Sequence, residues 1–244
     1  MRYEADTHAH TTASGHAYSS VREMMQAAGR KGLKALALTE HAMAMPGTCH
    51  EFYFSNYKVV PREWDGVRLL AGAEANIMDY KGRLDMPEGY LRKMDLVIAS
   101  LHTPCLNPGS REENTAALLG VMDNPYVDIL GHPDDCRYPL DYRAVAEKAA
   151  ETGMILEVNN SSMVPGSPRK GAEENYREIL ELCRRYRVYI SVGSDAHIEF
   201  DAGRHDCAYR LLEEIQFPEE LVLNTSWEKM RKHLNRAGKR MVTF

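Results

Sequence analysis

Short apolar runs recur along this chain, and each is followed closely by polar side chains suited to binding a metal ion or a substrate. Nearly continuous apolar runs of this length are typical of parallel strands that are buried on both faces. Six of these runs precede a histidine or a carboxylate, whereas the run at 154–158 precedes Asn159, Asn160, Ser161 and Ser162. The predicted strands span residues 3–6, 35–38, 69–73, 96–101, 127–131, 154–158 and 189–193.

Helical signals lie between the apolar runs, which predicts a strand–helix unit repeated along the chain. Ser20 and Glu23, like Ser110 and Glu113, have the spacing of a capping box, in which each side chain binds a backbone N–H of the other residue. Residues 42–66 are irregular and predict an extended loop with a short helix over the mouth of the fold. The predicted helices span residues 20–31, 110–122, 141–153, 173–186 and 225–237.

Alternating strands and helices can form either an open sheet or a closed barrel. The length of 244 residues is close to the size of a typical β/α barrel. Polar residues also follow every strand, whereas an open sheet would place its site only beside a topological switch point. We therefore predict an α/β protein with one domain over residues 1–244, folded as a barrel with its site at the C-terminal mouth.

Composition narrows the possible functions. The net charge of −5 gives no basic surface for a stable nucleic-acid complex, and no apolar run approaches the roughly 18 residues that a membrane helix needs. A strand is predicted to begin within the first residues, so we expect no signal peptide and a cytoplasmic location. The five cysteines are widely spaced, which indicates reduced thiols.

Histidines and carboxylates at the strand ends predict one multinuclear metal centre. His8 and His10 are two residues apart, as are Asp195 and His197, and this spacing puts both members of a pair on one side of an extended segment. Imidazole and carboxylate are ligands of zinc and similar metals. The candidate ligands are His8, His10, His16, His41, Glu74, His102, His132, Asp195 and His197. We interpret His50, His205 and His233 as core or surface residues.

The order of these motifs resembles the PHP (polymerase and histidinol phosphatase) family over essentially the whole chain. The motifs are Asp6-Thr-His8-Ala-His10-Thr11, Thr39-Glu40-His41, Gly72-Ala-Glu74-Ala-Asn76, Leu101-His102, Gly131-His132-Pro133 and Gly193-Ser-Asp195-Ala-His197. Segments at 16–19, 74–77, 157–162 and 169–171 are similar to the YcdX-like phosphatase branch. The resemblance implies a distorted (β/α)7 barrel, similar to a TIM barrel, with three divalent metal ions. Zinc is the expected metal, with manganese or iron as alternatives, and the chain is expected to form a homo-oligomer.

The resemblance also implies how the ligands are shared. One ion would be held by His8, His10, Glu74 and Asp195, a second by Glu74, His102 and His132, and a third by His16, His41 and His197. Glu74 would bridge two ions, since a carboxylate has two oxygens. The family usually has aspartate where this chain has Glu40. We expect Glu40 to orient a metal ligand, through a contact that is shifted because its side chain is one methylene longer.

These ligands predict a metal-dependent phosphatase in which a metal-bound hydroxide attacks a small phosphomonoester, with Glu74, Asp195 and His197 as catalytic residues. Arg169 and Lys170 are candidates for binding phosphate oxygens. Asn160 and Ser161 are candidates for positioning the substrate, and Asp134 or Asp135 for protonating the leaving group.

Three alternatives remain open at this stage. A PHP-type phosphodiesterase or nuclease would use the same metals, but we expect a basic groove in such an enzyme. A histidinol-phosphate phosphatase would use the same metals and would catalyse the same type of reaction on one particular monoester. A non-catalytic metal-binding domain is disfavoured because all nine candidate ligands are present.

Overall fold

The computed structural model describes residues 1–235, and it contains a ring of seven parallel strands with helices on the outside. The ring has the order β1-β2-β4-β5-β6-β7-β8, and β3 pairs antiparallel with β4. The predicted parallel α/β fold is confirmed. The strands are β1 Ala5–Asp6, β2 Ala35–His41, β3 Glu63–Trp64, β4 Val67–Asn76, β5 Leu96–Ser100, β6 Ile129–Leu130, β7 Ile155–Asn159 and β8 Ile190–Gly193.

The ring closes in two different ways between β8 and β1. At the mouth, Ala9 forms a parallel bridge with Ala196, and the N–H of Asp195 donates to the carbonyl of His8 at 2.8 Å. Lower down, the Asn224 side chain joins the strands, donating to the carbonyls of Ala5 at 2.9 Å and Val192 at 2.8 Å. The barrel is therefore distorted, as the resemblance implied.

Several helices begin at the residues that the sequence predicts. The reciprocal capping-box bonds of Ser20 with Glu23 and of Ser110 with Glu113 are both present, and Ser226 caps the last helix. The predicted end of that helix, near Ala237, lies outside the described residues. The helices are α1 Val21–Arg30, α2 Phe52–Asn56, α3 Glu88–Leu91, α4 Arg111–Val121, α5 Tyr142–Thr152, α6 Ala172–Tyr186, α7 Asp206–Glu214 and α8 Trp227–Leu234.

The irregular segment 42–66 contains the predicted short helix, which is α2, and also the two-residue strand β3. The sequence does not predict β3, because Glu63–Trp64 is not part of an apolar run. The first part of the segment reaches the mouth of the barrel, where Met45 and Pro46 line a cleft. Among residues 1–235, no helix is long and apolar enough to cross a membrane.

The inside of the barrel has two layers. Alternate residues of a strand face the same side, so the inward positions of β4 include Leu70 in the lower layer and Glu74 in the upper one. In the register of the sheet, Glu74 lies beside His41 of β2. The lower layer is apolar and packs on α8, through Ala5, Ala35, Ala37, Leu70, Leu96, Ile98, Ile129, Ile155, Met230 and Leu234.

Candidate metal centre

The nine predicted ligands all lie at the C-terminal mouth of the barrel, each at or after the end of a strand. Most of them line or underlie one cleft of about 380 Å³. His132 and Asp195 have positive φ angles of 28° and 53°, a conformation that non-glycine residues rarely adopt. Backbone strain of this kind is concentrated at functional sites, and here it turns two side chains inward immediately after their strands.

One group of ligand atoms surrounds a point between His8, His10, Glu74 and Asp195. His8 Nε2 lies 3.1 Å from His10 Nε2 and 3.4 Å from Glu74 Oε2, and His10 Nε2 lies 3.4 Å from Asp195 Oδ1. In a tetrahedral zinc site with bonds near 2.0–2.1 Å, ligand atoms are about 3.4 Å apart. The spacing of this group fits one metal ion.

The other oxygen of Glu74 faces a second group. Its Oε1 lies 3.2 Å from His102 Nε2 and 3.1 Å from His132 Nε2. The two carboxylate oxygens of Glu74 thus face two separate sets of imidazole nitrogens, which is the geometry required for bridging two ions. Glu74 Oε2 is also buried without a hydrogen-bond partner among the described residues, as expected of an atom that binds a cation.

The third group is less clearly separated. His16 Nε2 lies 3.1 Å from His197 Nε2. His41 stacks on His16 with ring centroids 5.0 Å apart, but its Nδ1 also lies 2.8 Å from Glu74 Oε2. His41 could therefore join either His10 and His197 or Glu74 and His102. Its predicted pairing with His16 and His197 stays a prediction.

Buried acceptors orient several of these imidazoles. His8 Nδ1 lies 2.7 Å from Glu157 Oε1, and the other oxygen of Glu157 accepts from the backbone N–H of His132 at 2.8 Å. A carboxylate has no hydrogen to give, so His8 Nδ1 is the donor in this contact, and a metal ion would bind His8 through its other nitrogen, Nε2. A side chain at Gly193 would overlap both Glu157 and His8. In a similar way, His102 Nδ1 lies 2.7 Å from Asn76 Oδ1.

The histidines stabilise the charged form of the two ligand carboxylates. Burial by itself would raise the pKa of Glu74, but His102, His8 and His41 outweigh burial and hold that pKa well below its usual value. Burial also opposes ionisation of Asp195, whose pKa is nevertheless held well below normal by His8, His10 and Arg169. Both groups are thus available as anionic ligands at neutral pH.

Two arginines contribute to the cleft. Arg169 Nη1 donates to Ser162 at 3.1 Å and lies 3.4 Å from Asp195 Oδ2, while its buried Nε has no hydrogen-bond partner among the described residues. Arg137 is more exposed and is held by a bidentate contact with Asp135, at 2.9 Å from Nε and 2.6 Å from Nη2. The sequence predicts Arg169 as a phosphate-binding residue, whereas it gives no signal for Arg137.

Comparison with known proteins identifies the family. The model of the PHP domain matches residues 6–195. The chain belongs to the PHP family. A PHP relative from Clostridium botulinum (strain Hall), named a probable phosphatase, is 49% identical over 239 residues, covering 98% of this chain and 97% of that protein.

Two solved structures share the PHP fold at low identity. A histidinol phosphate phosphatase from Lactococcus lactis, solved with zinc, L-histidinol and phosphate, has 18% identity and a TM-score of 0.59, covering 88% of this chain and 95% of the other. A chain of archaeal ribonuclease P, solved with mature tRNA, has 13% identity and a TM-score of 0.61, covering 98% and 96%. Together with the closed ring of strands, these matches confirm the predicted distorted (β/α)7 barrel.

The other predicted substrate residues of this PHP protein lie away from the cleft lining. Asn160 Oδ1 accepts from the N–H groups of Cys207 and Ala208, at 2.9 and 3.1 Å, and so holds the start of α7. Ser161 is half-buried and Lys170 is exposed, and neither is among the described residues that line the cleft. Their roles in substrate binding stay predictions without a supporting contact.

The two candidate proton donors also differ in their surroundings. Burial raises the pKa of Asp135, but hydrogen bonds from Arg137 outweigh it and the pKa is lowered, which keeps Asp135 ionised. Burial raises the pKa of Asp134 despite the opposing charge of Arg169. Neither aspartate is among the described residues that line the cleft, so the structure favours no proton donor.

Sequence reasoning missed the residues that support the ligands. Glu157 and Asn159 face inward at the end of β7, and Asn159 Nδ2 lies 3.2 Å from Asp195 Oδ2. The alternation along β7 could have placed both beside the metal centre, since positions 157 and 159 share one face. No comparable signal marks Ser14, whose hydroxyl contacts Glu40.

Proposed function

We propose that this PHP protein, as one domain over residues 1–244, is a metal-dependent phosphatase that hydrolyses a small phosphomonoester at a centre of three divalent metal ions. The observation that carries the proposal is the position of Glu74. Its Oε1 lies 3.1–3.2 Å from nitrogens of His102 and His132, and its Oε2 lies 2.8–3.5 Å from nitrogens of His8, His10 and His41. The names of the relatives, including the probable phosphatase from Clostridium botulinum, support the same reaction class.

The donor set favours zinc over a hard cation. The nine candidate ligands comprise seven histidines and two carboxylates, and imidazole suits zinc, iron and related metals, whereas magnesium prefers oxygen. The Lactococcus lactis phosphatase, which shares the fold, was solved with zinc. We therefore propose zinc, with manganese or iron as alternatives, at the sets assigned to His8/His10/Glu74/Asp195, Glu74/His102/His132 and His16/His41/His197.

Divalent ions in these sets would lower the pKa of a bound water toward neutrality and neutralise phosphate charge. The protein's own residues would then orient the ester. Arg169 has a buried Nε without a partner and a guanidinium plane suited to two phosphate oxygens. Asn159 contacts both Arg169 and Asp195, so it holds the arginine beside a metal ligand. Glu74, Asp195 and His197 would hold the ions that contact the ester.

The cleft suits a small substrate. Its volume is about 380 Å³, and Met45, Pro46 and Pro104 form apolar walls beside the histidines and carboxylates that line the rest of the cleft. A cleft of this size accommodates a small organic ester and not a long polyanion. The net charge of −5 also gives no general attraction for nucleic acid. These features favour a monoester over the phosphodiesterase alternative, although the ribonuclease P chain shares the fold.

Metal analysis and a substrate panel test the proposal. We expect about three transition-metal ions per chain after expression in metal-replete medium. We also expect a higher kcat/KM on small phosphomonoesters than on phosphodiesters or single-stranded DNA, and histidinol phosphate in the panel tests the narrower alternative. One metal ion or none would overturn the trinuclear centre, and a diester or DNA as the best substrate would overturn the monoester.

A further inference from the structure

The hydroxyl of Ser14 connects two predicted metal ligands to a buried carboxylate. Ser14 Oγ lies 2.6 Å from Glu40 Oε2, 3.1 Å from the backbone nitrogen of His41 and 3.0 Å from His10 Nδ1. Ser14, Glu40 and His10 are all fully buried. No water or solvent ion is therefore needed to account for the three contacts of this hydroxyl.

Glu40 acts only as an acceptor in this arrangement. Its Oε2 also accepts from the backbone N–H of Thr11 at 3.0 Å, and its Oε1 accepts from the Thr11 hydroxyl at 2.6 Å. The Tyr53 hydroxyl lies 3.4 Å from Oε1. Every group that contacts the carboxylate can donate a hydrogen, so none of these contacts requires a proton on Glu40.

The single hydrogen of the Ser14 hydroxyl determines the other two contacts. Because Glu40 Oε2 has no hydrogen, the hydrogen between the two oxygens belongs to Ser14. The oxygen of Ser14 must then accept from both remaining partners, and a backbone N–H of His41 is always a donor. The same accounting makes His10 Nδ1 a donor, which leaves the lone pair of His10 on Nε2.

We propose that Ser14 is a positioning residue which, with Glu40 as its acceptor, holds His10 in the form protonated on Nδ1, so that Nε2 faces the metal. This inference rests on the proposed metal centre. It also gives Glu40 a role that does not require direct metal binding, since Glu40 acts on the ligand through the serine hydroxyl.

The proposal has a consequence for the neighbouring ligand. Glu157 fixes His8 in the same form, with its proton on Nδ1. The Nε2 atoms of His8 and His10 are 3.1 Å apart, and when both rings are neutral and protonated on Nδ1, neither Nε2 carries a hydrogen that the other could accept. Two lone pairs at this distance, with Glu74 and Asp195 beside them, are stabilised by a cation between them. The serine and both carboxylates thus prepare one metal position.

The test combines nuclear magnetic resonance with measurements of zinc affinity. Both use the full chain, purified and loaded with zinc. In ¹⁵N-histidine-labelled protein, the His10 ring, assigned by the loss of its signals in His10→Asn, should carry its proton on Nδ1. That proton should exchange slowly with solvent. Ser14→Ala should make the exchange faster, and Ser14→Thr, which keeps the hydroxyl, should restore it. His197 is an internal control, because its Nδ1 faces the backbone carbonyl of Asp195 at 2.9 Å.

Zinc affinity, measured by competition with a chelator, provides the second readout. Ser14→Ala should weaken the affected site by about 10- to 100-fold, the usual effect of removing a group that orients a ligand. Glu40→Met leaves the Ser14 hydrogen free to be donated to His10, so it should weaken zinc binding at least as much. In the protein that carries both Ser14→Ala and Glu40→Met, the Glu40 change should cause no further loss of zinc affinity. If the two changes acted only through separate structural effects, their losses of affinity would add.

Two results would overturn the proposal. One is a His10 ring that carries its proton on Nε2 in the parent protein. The other is a Ser14→Ala variant with the parent's proton exchange and zinc affinity. If the parent binds no zinc at all, the proposed function fails, but the protonation of His10 in the same protein still decides this inference separately.

Discussion

The apolar lower layer of this barrel, which forms its floor, and the mouth are built from the same strands and yet have opposite chemistry. Leu70 and Glu74 occupy the same inward face of β4, four residues apart, and both are buried, with exposed fractions of 0% and 1%. Burial therefore does not distinguish the two layers. The floor gains free energy by removing apolar surface from water, whereas the mouth buries carboxylates and imidazoles whose desolvation must be offset by partners or by bound cations.

The largest expected effect comes from removing the shared ligand of the mouth. Glu74→Gln keeps the shape of the side chain but leaves a single oxygen, so it cannot bridge two ions. We expect the loss of more than one metal ion and a decrease in kcat/KM of about 1000-fold, equivalent to about 4 kcal/mol of transition-state stabilisation. His16→Ala is the matched control, as it belongs to one group only. A larger loss of metal and activity in His16→Ala would show that Glu74 does not bridge.

Leu70→Ala is the matched change in the floor. Removing a buried leucine should lower the free energy of unfolding by about 2–5 kcal/mol, because it creates a cavity among the residues that pack on α8. Metal content and kcat/KM should stay near the parent values below the unfolding temperature. Urea denaturation and elemental analysis check both parts. Loss of metal at unchanged stability would contradict the separation of floor and mouth.

Asn224→Ala tests how the floor closes. The Asn224 side chain donates to Ala5 and Val192 and accepts from the N–H of Val192 at 2.6 Å, all in buried surroundings. Leaving these backbone groups unpaired should destabilise the protein by about 1–3 kcal/mol. Asn224→Asp keeps the acceptor for the Val192 N–H but places a buried carboxylate against two carbonyl oxygens, so it should destabilise the protein at least as much as Asn224→Ala. An unchanged unfolding midpoint would show that the closure at the mouth suffices.

The smallest effect concerns Arg169, on the substrate side of the metal ligands. Arg169→Ala should retain the metal ions and lower kcat/KM by about tenfold or more, which corresponds to about 1.4 kcal/mol. Arg169→Lys should recover part of that activity, because lysine supplies charge without the planar fork. Inorganic phosphate should also inhibit the alanine variant less. Normal kinetics and normal phosphate inhibition would remove Arg169 from substrate binding.

Much of the fold was predictable from the sequence because its signals are local. The capping boxes at Ser20 and Ser110 and the cap at Ser226 depend on residues only three positions apart. The seven predicted strands depend on apolar runs whose lengths and spacing are visible directly. The candidate metal ligands were predicted from the same runs, since parallel strands in a barrel all end at one mouth.

The supporting contacts depend on segments that only the fold brings together. Asn224 reaches Ala5 across 219 positions, and Glu157 reaches His8 across 149. The proximity of His41 to both Glu74 and His16 also arises from strand register, which a run of apolar residues does not specify. Asn160 is a local prediction without such a supporting contact. Its position at the end of a strand suggested substrate binding, but in the structure its side chain contacts the start of α7.

The sequence by itself determined the seven strands of the ring, which of their residues face inward and which side chains meet at the mouth, because period-two alternation and strand ends are local properties. The tertiary structure alone decided which atoms of those side chains face each other. The protonation of His8 through Glu157 and of His10 through Ser14 depends on distances of 2.7 and 3.0 Å between separate segments. Hydrogen bonds require such short distances, and only the packed barrel sets them.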